Sequence, residues 1–227
     1  MHFFKVPFFL PYLFPQAIWR VKTEKKMIFL TFDDGPQQNI TPWVLSLLER
    51  EKIKAQFFAV GNNIIKNPEI ALAIVNQGHT LCNHTLNHKK GWSTNNTEYW
   101  KEIQETEKLI QGVYRNSKFT SPKIQLFRPP YGRIKQSQLK QITNNGFNVI
   151  MWWQLSCDYD PQLNCERSLQ SMVRNLSHGS VVVFHDSAKA QNQVQQILPK
   201  FIALAKQCGY SFGLLANELN TQQKSTI

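Results

Sequence analysis

The stretch that decides the fold is MIFLTFDDGP, residues 27–36. Its first six residues are mostly apolar and predict a buried strand, and Gly35-Pro36 predicts the turn that ends it. Adjacent carboxylates at the end of a buried strand are costly unless a cation or a catalytic task compensates for their repulsion. An ordinary Asx turn explains one aspartate but not both Asp33 and Asp34. The strand end is therefore a candidate functional site.

Six more apolar runs along the chain read as strands, at 55–60, 78–83, 124–129, 147–153, 180–185 and 210–215. Amphipathic patterns predict helices between them, at about 41–52, 68–77, 97–113, 136–145, 166–177 and 191–207. This alternation predicts an α/β fold of parallel strands joined by helices, either a barrel or a doubly wound sheet. In both folds the chemistry lies at the carboxyl ends of the strands.

Composition excludes several classes of protein. The chain has 227 residues, 42% hydrophobic and 18% charged, which is too apolar for a disordered protein. Ten glycines and 11 prolines exclude collagen-like chains, and no uninterrupted apolar stretch is long enough to predict a membrane-spanning helix. The formal net charge of +11 favours anionic partners, but no nucleic-acid-binding motif accompanies it, so we expect no nucleic acid partner.

The two ends of the chain differ from the middle. Residues 1–24 form an apolar arm that Pro7, Pro11 and Pro15 interrupt, so no continuous helix runs through it. The arm either packs across the fold or makes a peripheral membrane contact. It lacks the basic start and cleavage site of a signal peptide, which favours a cytoplasmic or membrane-surface location. We expect one catalytic domain over 25–217 and a polar tail over 218–227; the sequence leaves the oligomeric state open.

Two histidines follow the third predicted strand, in the sequence NHTLNH at 83–88. His84 and His88 are four residues apart and would face one side of a helical turn, which is a metal-ligand spacing. Isolated surface histidines are the alternative, but an acidic strand end lies at the same edge of the predicted sheet. Two histidines and one aspartate would form a facial triad with open positions, typical of a catalytic metal.

Two further polar clusters end apolar strands. RPPYG at 128–132 contains two consecutive prolines, which fix the loop and hold the Tyr131 N–H as a rigid donor for an oxyanion. Arg128 there needs a buried carboxylate partner. The run from Val181 to Phe184 ends in His185-Asp186, where the imidazole would face the mouth of a cavity. The alternative is an ordinary strand-to-helix turn with Asp186 as the helix N-cap, a role that Asp186 could have even beside a functional His185.

These residues resemble the polysaccharide deacetylases of carbohydrate esterase family 4, over about residues 25–215. TFDDGP at 31–36, HTLNH at 84–88, RPPYG at 128–132 and the strand that closes in His185-Asp186 match four of the family's five motifs in order. The resemblance implies a single-domain irregular (β/α) barrel of about seven parallel strands surrounded by helices. It also implies hydrolysis of N-acetyl, or O-acetyl, groups of an amino-sugar glycan or oligosaccharide, with release of acetate.

The resemblance also implies the roles of individual residues. Asp33 would be the general base, oriented by Arg128, and His185 the general acid. Asp34, His84 and His88 would hold Zn²⁺, or Co²⁺ or another divalent transition metal. The Tyr131 N–H would complete the oxyanion site, and Asp158 would raise the pKa of His185. Pocket walls are expected from Pro130, Trp152, Tyr159 and Val183.

The fourth motif departs from the family, which usually has Asp-x-x-Asp-Trp where this chain has Leu155-Ser-Cys-Asp158-Tyr159. The first aspartate and the tryptophan are replaced, while the second aspartate is kept. The identity of the substrate should therefore not be inherited from the family. Two other functions stay open: hydrolysis of a non-sugar C–N amide at the same metal site, and non-catalytic glycan binding.

Overall fold

The computed structural model describes residues 4–224 and contains a parallel sheet that curls into a half-barrel. Its strand order is β5-β4-β3-β2-β1-β7-β6, and β8 pairs with β1. The strands are β1 (Met27–Asp33), β2 (Gln56–Ala59), β3 (Thr80–Asn83), β4 (Gln125–Phe127), β5 (Phe147–Val149), β6 (Gln154–Leu155), β7 (Val181–His185) and β8 (Ser211–Phe212). Every pairing between these strands is parallel, which confirms the predicted α/β barrel class.

Helices surround the sheet: α1 (Leu10–Leu13), α2 (Thr41–Glu51), α3 (Gly61–Lys66), α4 (Pro68–Asn76), α5 (Asn96–Arg115), α6 (Gln136–Asn144), α7 (Cys165–Arg174), α8 (Gln191–Gln207) and α9 (Leu215–Lys224). Local signals explain where several of them begin. The side chains of Asn95 and Asn164 cap α5 and α7 by accepting backbone N–H groups, and Pro68 opens α4.

The prediction of a single strand over 147–153 is wrong. β5 ends at Val149, and the backbone then changes partner: Ile150 N–H donates to Phe127 O of β4, whereas Trp153 N–H donates to Val181 O of β7. The chain thus crosses from one side of the half-barrel to the other within four residues before it enters β6. An apolar run does not reveal such a crossing, because both halves are buried.

The central strand is buried on both faces, as expected for a parallel sheet covered by helices. From Ile28 to Asp33 every residue of β1 is buried, and Phe32 stacks on Phe57 of β2 with ring centroids 5.0 Å apart. Gln56 is a polar residue in this core, and its amide Nε2 donates to Leu30 O at 3.0 Å. The β1 end is therefore held in a rigid, packed environment.

The amino-terminal arm packs on the fold. Val6 N–H donates to Trp153 O, Leu155 N–H donates to Phe4 O, and Ile18 exchanges backbone hydrogen bonds with Val149 and Met151. Apolar side chains on both sides of α1 are buried, namely Phe4, Val6, Ala17, Trp19 and Val21. Residues 1–3 of the arm lie outside the described residues.

The carboxyl-terminal region differs from the predicted tail. The boundary expected after residue 217 falls inside α9, which runs to Lys224 and buries Leu219 beside Ala216. Polar contacts also hold the helix: Glu218 pairs with Lys25 at 2.7 Å, and Gln222 Nε2 donates to Lys22 O at 2.6 Å. The polar sequence of the helix gave little sign of this packing. Residues 225–227 lie outside the described part of the chain. Among residues 4–224, no helix combines the length and apolar character that a membrane span needs.

Candidate active site

The site lies at the carboxyl edge of the half-barrel. β1 ends at Asp33, β7 ends at His185, and His84 and Arg128 directly follow β3 and β4. Because parallel strands place their carboxyl ends at one edge, the polar residues at these four ends converge. Asp33, His84 and His185 line a cavity of about 680 Å³, whereas Arg128 is fully buried.

Asp33 is bound to a fully buried arginine. The Arg128 Nη1 lies 2.6 Å from Asp33 Oδ1 and also donates to Thr31 Oγ1 at 2.8 Å. The other guanidinium nitrogens donate to the carbonyl oxygens of Ile150 and Met151. Burial lowers the pKa of Arg128, and the negative charge of Asp33 opposes that shift. The arginine therefore fixes one carboxylate oxygen of Asp33 and leaves the other to the cavity.

Asp34, His84 and His88 form a second cluster. The Asp34 Oδ1 lies 3.1 Å from His88 Nε2 and 3.7 Å from His84 Nε2, and one ligand atom from each residue falls within 4.8 Å of the others. The prediction of a helical turn here is wrong: residues 84–88 form a loop, with left-handed backbone at Thr85 (φ 64°) and His88 (φ 56°). These two residues turn the chain so that both imidazoles meet Asp34.

The protonation of this cluster suits a divalent transition metal. Burial lowers the pKa of His84 to about 4, and its Nδ1 lies 2.7 Å from Arg128 O, so the neutral ring donates from Nδ1 and presents a lone pair at Nε2. Burial alone would raise the pKa of Asp34, but the hydrogen bond with His88 and the charge of His185 hold it well below its usual range. Two imidazole nitrogens and one carboxylate oxygen are a catalytic donor set.

His185 is paired with the buried Asp158. Its Nδ1 lies 2.6 Å from Asp158 Oδ1, and its backbone N–H donates to Asp158 Oδ2 at 2.9 Å. Burial would lower the pKa of His185, but the Asp158 carboxylate outweighs burial and raises it to about 9. The imidazole is therefore protonated at neutral pH, and Nε2 is the ring nitrogen left for a ligand in the cavity.

The predicted pocket residues divide into two groups. Trp152, Tyr159 and Val183 line the cavity, as does Tyr131, whereas Pro130 is buried and does not line it. Pro130 instead belongs to a short 3-10 turn, Pro130–Gly132, in which Tyr131 takes a left-handed backbone (φ 59°). The loop thus sets the position of Tyr131 beside the metal-type cluster, with its ring centroid 4.7 Å from that of His88.

Asp186 holds the Gly35-Pro36 turn rather than capping a helix. Its Oδ1 accepts the Gly35 N–H at 3.0 Å and its Oδ2 accepts the Thr41 hydroxyl at 2.6 Å, while Ala190 occupies the N-cap of α8. A Cβ on residue 35 would lie 1.9 Å from Asp186 Oδ2, so only glycine fits. The suggestion of an N-cap is therefore wrong, and the contact instead positions Asp34.

Comparison with known proteins agrees with this geometry. Residues 20–150, which are more than half of the chain, match the model of the polysaccharide deacetylase family. The chain belongs to the polysaccharide deacetylase family. This confirms the resemblance drawn from the motifs, and with it the assignment of the chain as a hydrolase that acts on amide C–N bonds.

Individual relatives of this deacetylase cover most of its length. It is 31% identical over 201 residues to a peptidoglycan-N-acetylglucosamine deacetylase of Bacillus cereus, covering 86% of this chain and 88% of the relative. It is 25% identical over 171 residues to a chitooligosaccharide deacetylase of Sinorhizobium fredii, covering 75% and 77%. The crystal structure of the Bc1960 peptidoglycan N-acetylglucosamine deacetylase, bound to an N-hydroxybenzamide, superposes with a TM-score of 0.83 at 29% identity, covering 94% and 96%.

The altered fourth motif of this deacetylase lies on the cavity wall. Leu155 and Tyr159, the two replacements, both line the cavity, and the Tyr159 ring packs edge-on against His185 with centroids 5.4 Å apart. Asp158, the residue kept, lies behind them and is fully buried. The replacements therefore change the surface that a substrate meets and leave the pair that includes His185 intact.

Several site residues of the deacetylase were not predicted. Asn63 donates from Nδ2 to Asp34 O at 2.7 Å, and Gln37 accepts the Ala188 N–H at 2.7 Å. The rest of this group lines the cavity: Val60, Arg133, Ser187, Ala188 and Lys189. Val60 and Asn63 lie just beyond the carboxyl end of β2, so the rule that located the other clusters also applies there. It was missed because no charged or ligating side chain marks that strand end.

Proposed function

We propose that the chain is a metal-dependent N-deacetylase of an amino-sugar glycan or oligosaccharide and that it releases acetate and a free amine. The observation that carries the proposal is the arrangement of two carboxylate-paired groups, Asp33 with Arg128 and His185 with Asp158, around Asp34, His84 and His88 in one cavity. A base, an acid and a metal-type donor set are the parts that amide hydrolysis by water needs.

Zinc is the metal that best fits this donor set and a hydrolytic reaction. Asp34, His84 and His88 would hold the ion, and neutral imidazoles with one carboxylate are usual ligands of a hydrolytic zinc site. Once bound, a divalent cation supplies Lewis-acid activation of a water molecule and of the acetyl carbonyl. The N-hydroxybenzamide in the Bc1960 structure supports this assignment, because hydroxamates chelate divalent metals.

The proton transfers follow from the two pairs. Asp33, held by Arg128 through one oxygen, takes a proton from the attacking water with the other. Water adds to the acetyl carbonyl carbon, and the developing oxyanion is stabilised by the Tyr131 N–H at the cavity edge. His185, protonated because Asp158 raises its pKa to about 9, gives its proton to the leaving nitrogen. The C–N bond breaks and leaves acetate and an amino sugar.

The size and lining of the cavity support a sugar substrate. Its volume of about 680 Å³ accommodates a short oligosaccharide, and aromatic rings of Tyr131, Trp152 and Tyr159 on the wall offer faces on which sugar rings stack. The named relatives act on peptidoglycan N-acetylglucosamine and on chitooligosaccharides. We propose that this chain also acts on N-acetylglucosamine residues, and the substrate panel below identifies the glycan that carries them.

A substrate panel tests the proposal. Acetate release is measured on chitooligosaccharides, acetylated peptidoglycan fragments, acetylxylan and lipid-linked N-acetyl sugars, using metal-stripped protein and protein reloaded with zinc or cobalt. We expect turnover of an N-acetylglucosamine substrate only after reloading. Turnover of acetylxylan alone would make the chain an O-deacetylase. If the fully metal-loaded protein released no acetate from any sugar but hydrolysed small amides, the assignment of a sugar substrate would be overturned.

A further inference from the structure

Exposed apolar side chains are concentrated in the amino-terminal arm. Among residues 4–224, nine large apolar residues are exposed, and four of them fall within six positions around α1: Phe8 (79%), Phe9 (53%), Tyr12 (81%) and Leu13 (56%). We call these four the arm cluster. Single exposed apolar residues are normal on protein surfaces, whereas a contiguous group marks an interaction surface.

Packing and hydrogen bonds fix the arm cluster on the body of the fold. Leu10 and Phe14, on the opposite side of α1, pack against the core under α6, and Gln136 at the start of α6 donates from Nε2 to Leu13 O at 2.6 Å. The buried, hydrogen-bonded segments of the arm lie on both sides of the cluster. The four side chains are thus exposed on a segment whose backbone is fixed by its contacts with the core.

The arm up to Thr23, and α6 beneath it, contain basic residues and no acidic ones. The first 23 residues contain Lys5, Arg20 and Lys22 and no aspartate or glutamate. The residues from 133 to 144, which lead into and form α6, add Arg133, Lys135 and Lys140 and again no acidic residue. Such a surface attracts an anionic partner and repels a second copy of itself.

An apolar groove continues from the arm cluster. A cavity of about 500 Å³ lies between the arm and α9, and Pro11 of α1 forms one of its walls. Its other walls include Ile18, Trp19 and Leu219, and the basic residues Arg20 and Lys22 line it as well. An apolar channel bordered by cations suits an acyl chain attached to an anionic headgroup.

We propose that the arm cluster is a docking surface for the headgroup and acyl boundary of an anionic lipid bilayer. Exposed phenylalanine, tyrosine and leucine side chains enter that boundary, while lysine and arginine contact the anionic headgroups. An acidic glycan would satisfy the charges but offers no apolar phase for the four side chains. A second copy of the chain would bury the apolar side chains but would bring like charges together.

Vesicle co-sedimentation of the full chain tests the proposal. The probes are phosphatidylcholine vesicles with and without phosphatidylglycerol at low salt, and the test variant is Phe8→Ser/Phe9→Ser/Tyr12→Ser/Leu13→Ser. Ile65→Ser/Phe119→Ser is the matched control, because it removes exposed apolar side chains elsewhere on the surface. We expect at least tenfold tighter binding to the anionic vesicles, a loss of at least tenfold in the test variant, and no change in the control.

Other outcomes overturn the proposal. Binding to neither vesicle, or binding that both serine variants reduce equally, contradicts a specific lipid surface. If high salt abolishes vesicle binding but the test variant still binds as tightly as wild type, attraction by charge alone accounts for the binding. A dimer that only the test variant dissociates, together with no vesicle binding, would assign the arm cluster to self-association. The pair Tyr12→Ser/Leu13→Ser serves if the fourfold variant does not fold, with an intermediate loss expected.

Discussion

His185 and Asp158 form a bidentate contact between the end of β7 and the turn after β6: the carboxylate oxygens of Asp158 lie 2.6 Å from His185 Nδ1 and 2.9 Å from His185 N. Asp158 is fully buried after β6, and His185 ends β7. The side-chain contact fixes the ring nitrogen that faces away from the cavity, and the backbone contact fixes the strand end. The pair therefore sets both the orientation and the charge of the imidazole.

The first prediction concerns the pH dependence of turnover. A general acid must be protonated, so wild-type kcat should fall as pH rises through the His185 pKa of about 9. In Asp158→Asn the carboxylate that raises this pKa is gone while burial still lowers it, so the alkaline limb should move down by at least about one pH unit. kcat measured from pH 6 to 10 checks this. An unchanged alkaline limb would assign the acid role to another group.

The second prediction concerns the buried arginine. Arg128→Lys keeps the positive charge but removes the guanidinium group, which donates to Asp33, Ile150 O and Met151 O. A single ammonium group cannot replace all of these hydrogen bonds, so buried acceptors lose their donors. We expect the free energy of unfolding to fall by about 2–5 kcal/mol and kcat to fall with it. Urea unfolding of this variant and of the exposed control Arg115→Lys measures the difference. A cost equal to that of the control would contradict the role of the guanidinium group.

The third prediction concerns the turn before the metal-type cluster. Gly35→Ala places a methyl group 1.9 Å from Asp186 Oδ2, so the turn must shift. Overpacking of this kind costs about 1–3 kcal/mol or more, and we also expect weaker metal binding because Asp34 is the next residue. Gly112→Ala in α5, whose nearest atom is a flexible arginine terminus at 3.7 Å, should be neutral or slightly stabilising. Equal melting temperatures for the two variants would argue against the clash.

The fourth prediction concerns metal binding. His84→Ala removes a buried ligand nitrogen, so zinc stoichiometry should fall from one per chain to well below one after dialysis, and acetate release should fall with it. His178→Ala removes a histidine outside the cluster and should keep full stoichiometry. Elemental analysis of both dialysed variants is the measurement. Retention of one zinc by His84→Ala would place the metal elsewhere.

The fifth prediction concerns substrate contacts. Tyr159 is partly exposed on the cavity wall and packs edge-on against His185. Tyr159→Ala should raise KM for the sugar about 3–10-fold, the loss expected for one aromatic contact, while kcat changes less. Tyr159→Phe keeps the ring and should stay close to wild type. A fall in kcat with unchanged KM in Tyr159→Ala would indicate that the ring positions His185 rather than substrate.

Much of the site was predictable because strand ends and ligand types are local features. Asp33, Asp34 and His185 follow apolar runs directly, and parallel strands bring such ends together without further information. The family resemblance then supplied a partner for His185 from a distant position, Asp158. Periodicity alone could not supply it, because a contact between residues 27 positions apart depends on the order of the strands in the sheet.

The features that the sequence missed depend on tertiary contacts. The crossing after Val149 reads as one apolar run, and α9 is held by a few contacts such as that of Leu219. The sequence suggested a helix cap at Asp186 because its actual role, accepting the N–H of Gly35, involves a residue 151 positions away. The left-handed backbone at His88 replaces the expected helical turn without altering which nitrogens meet Asp34.

The measurement that tests the central claim most directly is the product analysis of chitotetraose treated with zinc-loaded protein in ¹⁸O-labelled water, alongside Asp33→Asn. The account predicts equal amounts of acetate and free amine, one solvent oxygen in each acetate, and a loss of about 10²–10⁴ in rate for Asp33→Asn with zinc still bound. Intact N-acetyl groups at full zinc occupancy, or Asp33→Asn turning over as fast as wild type, would contradict it.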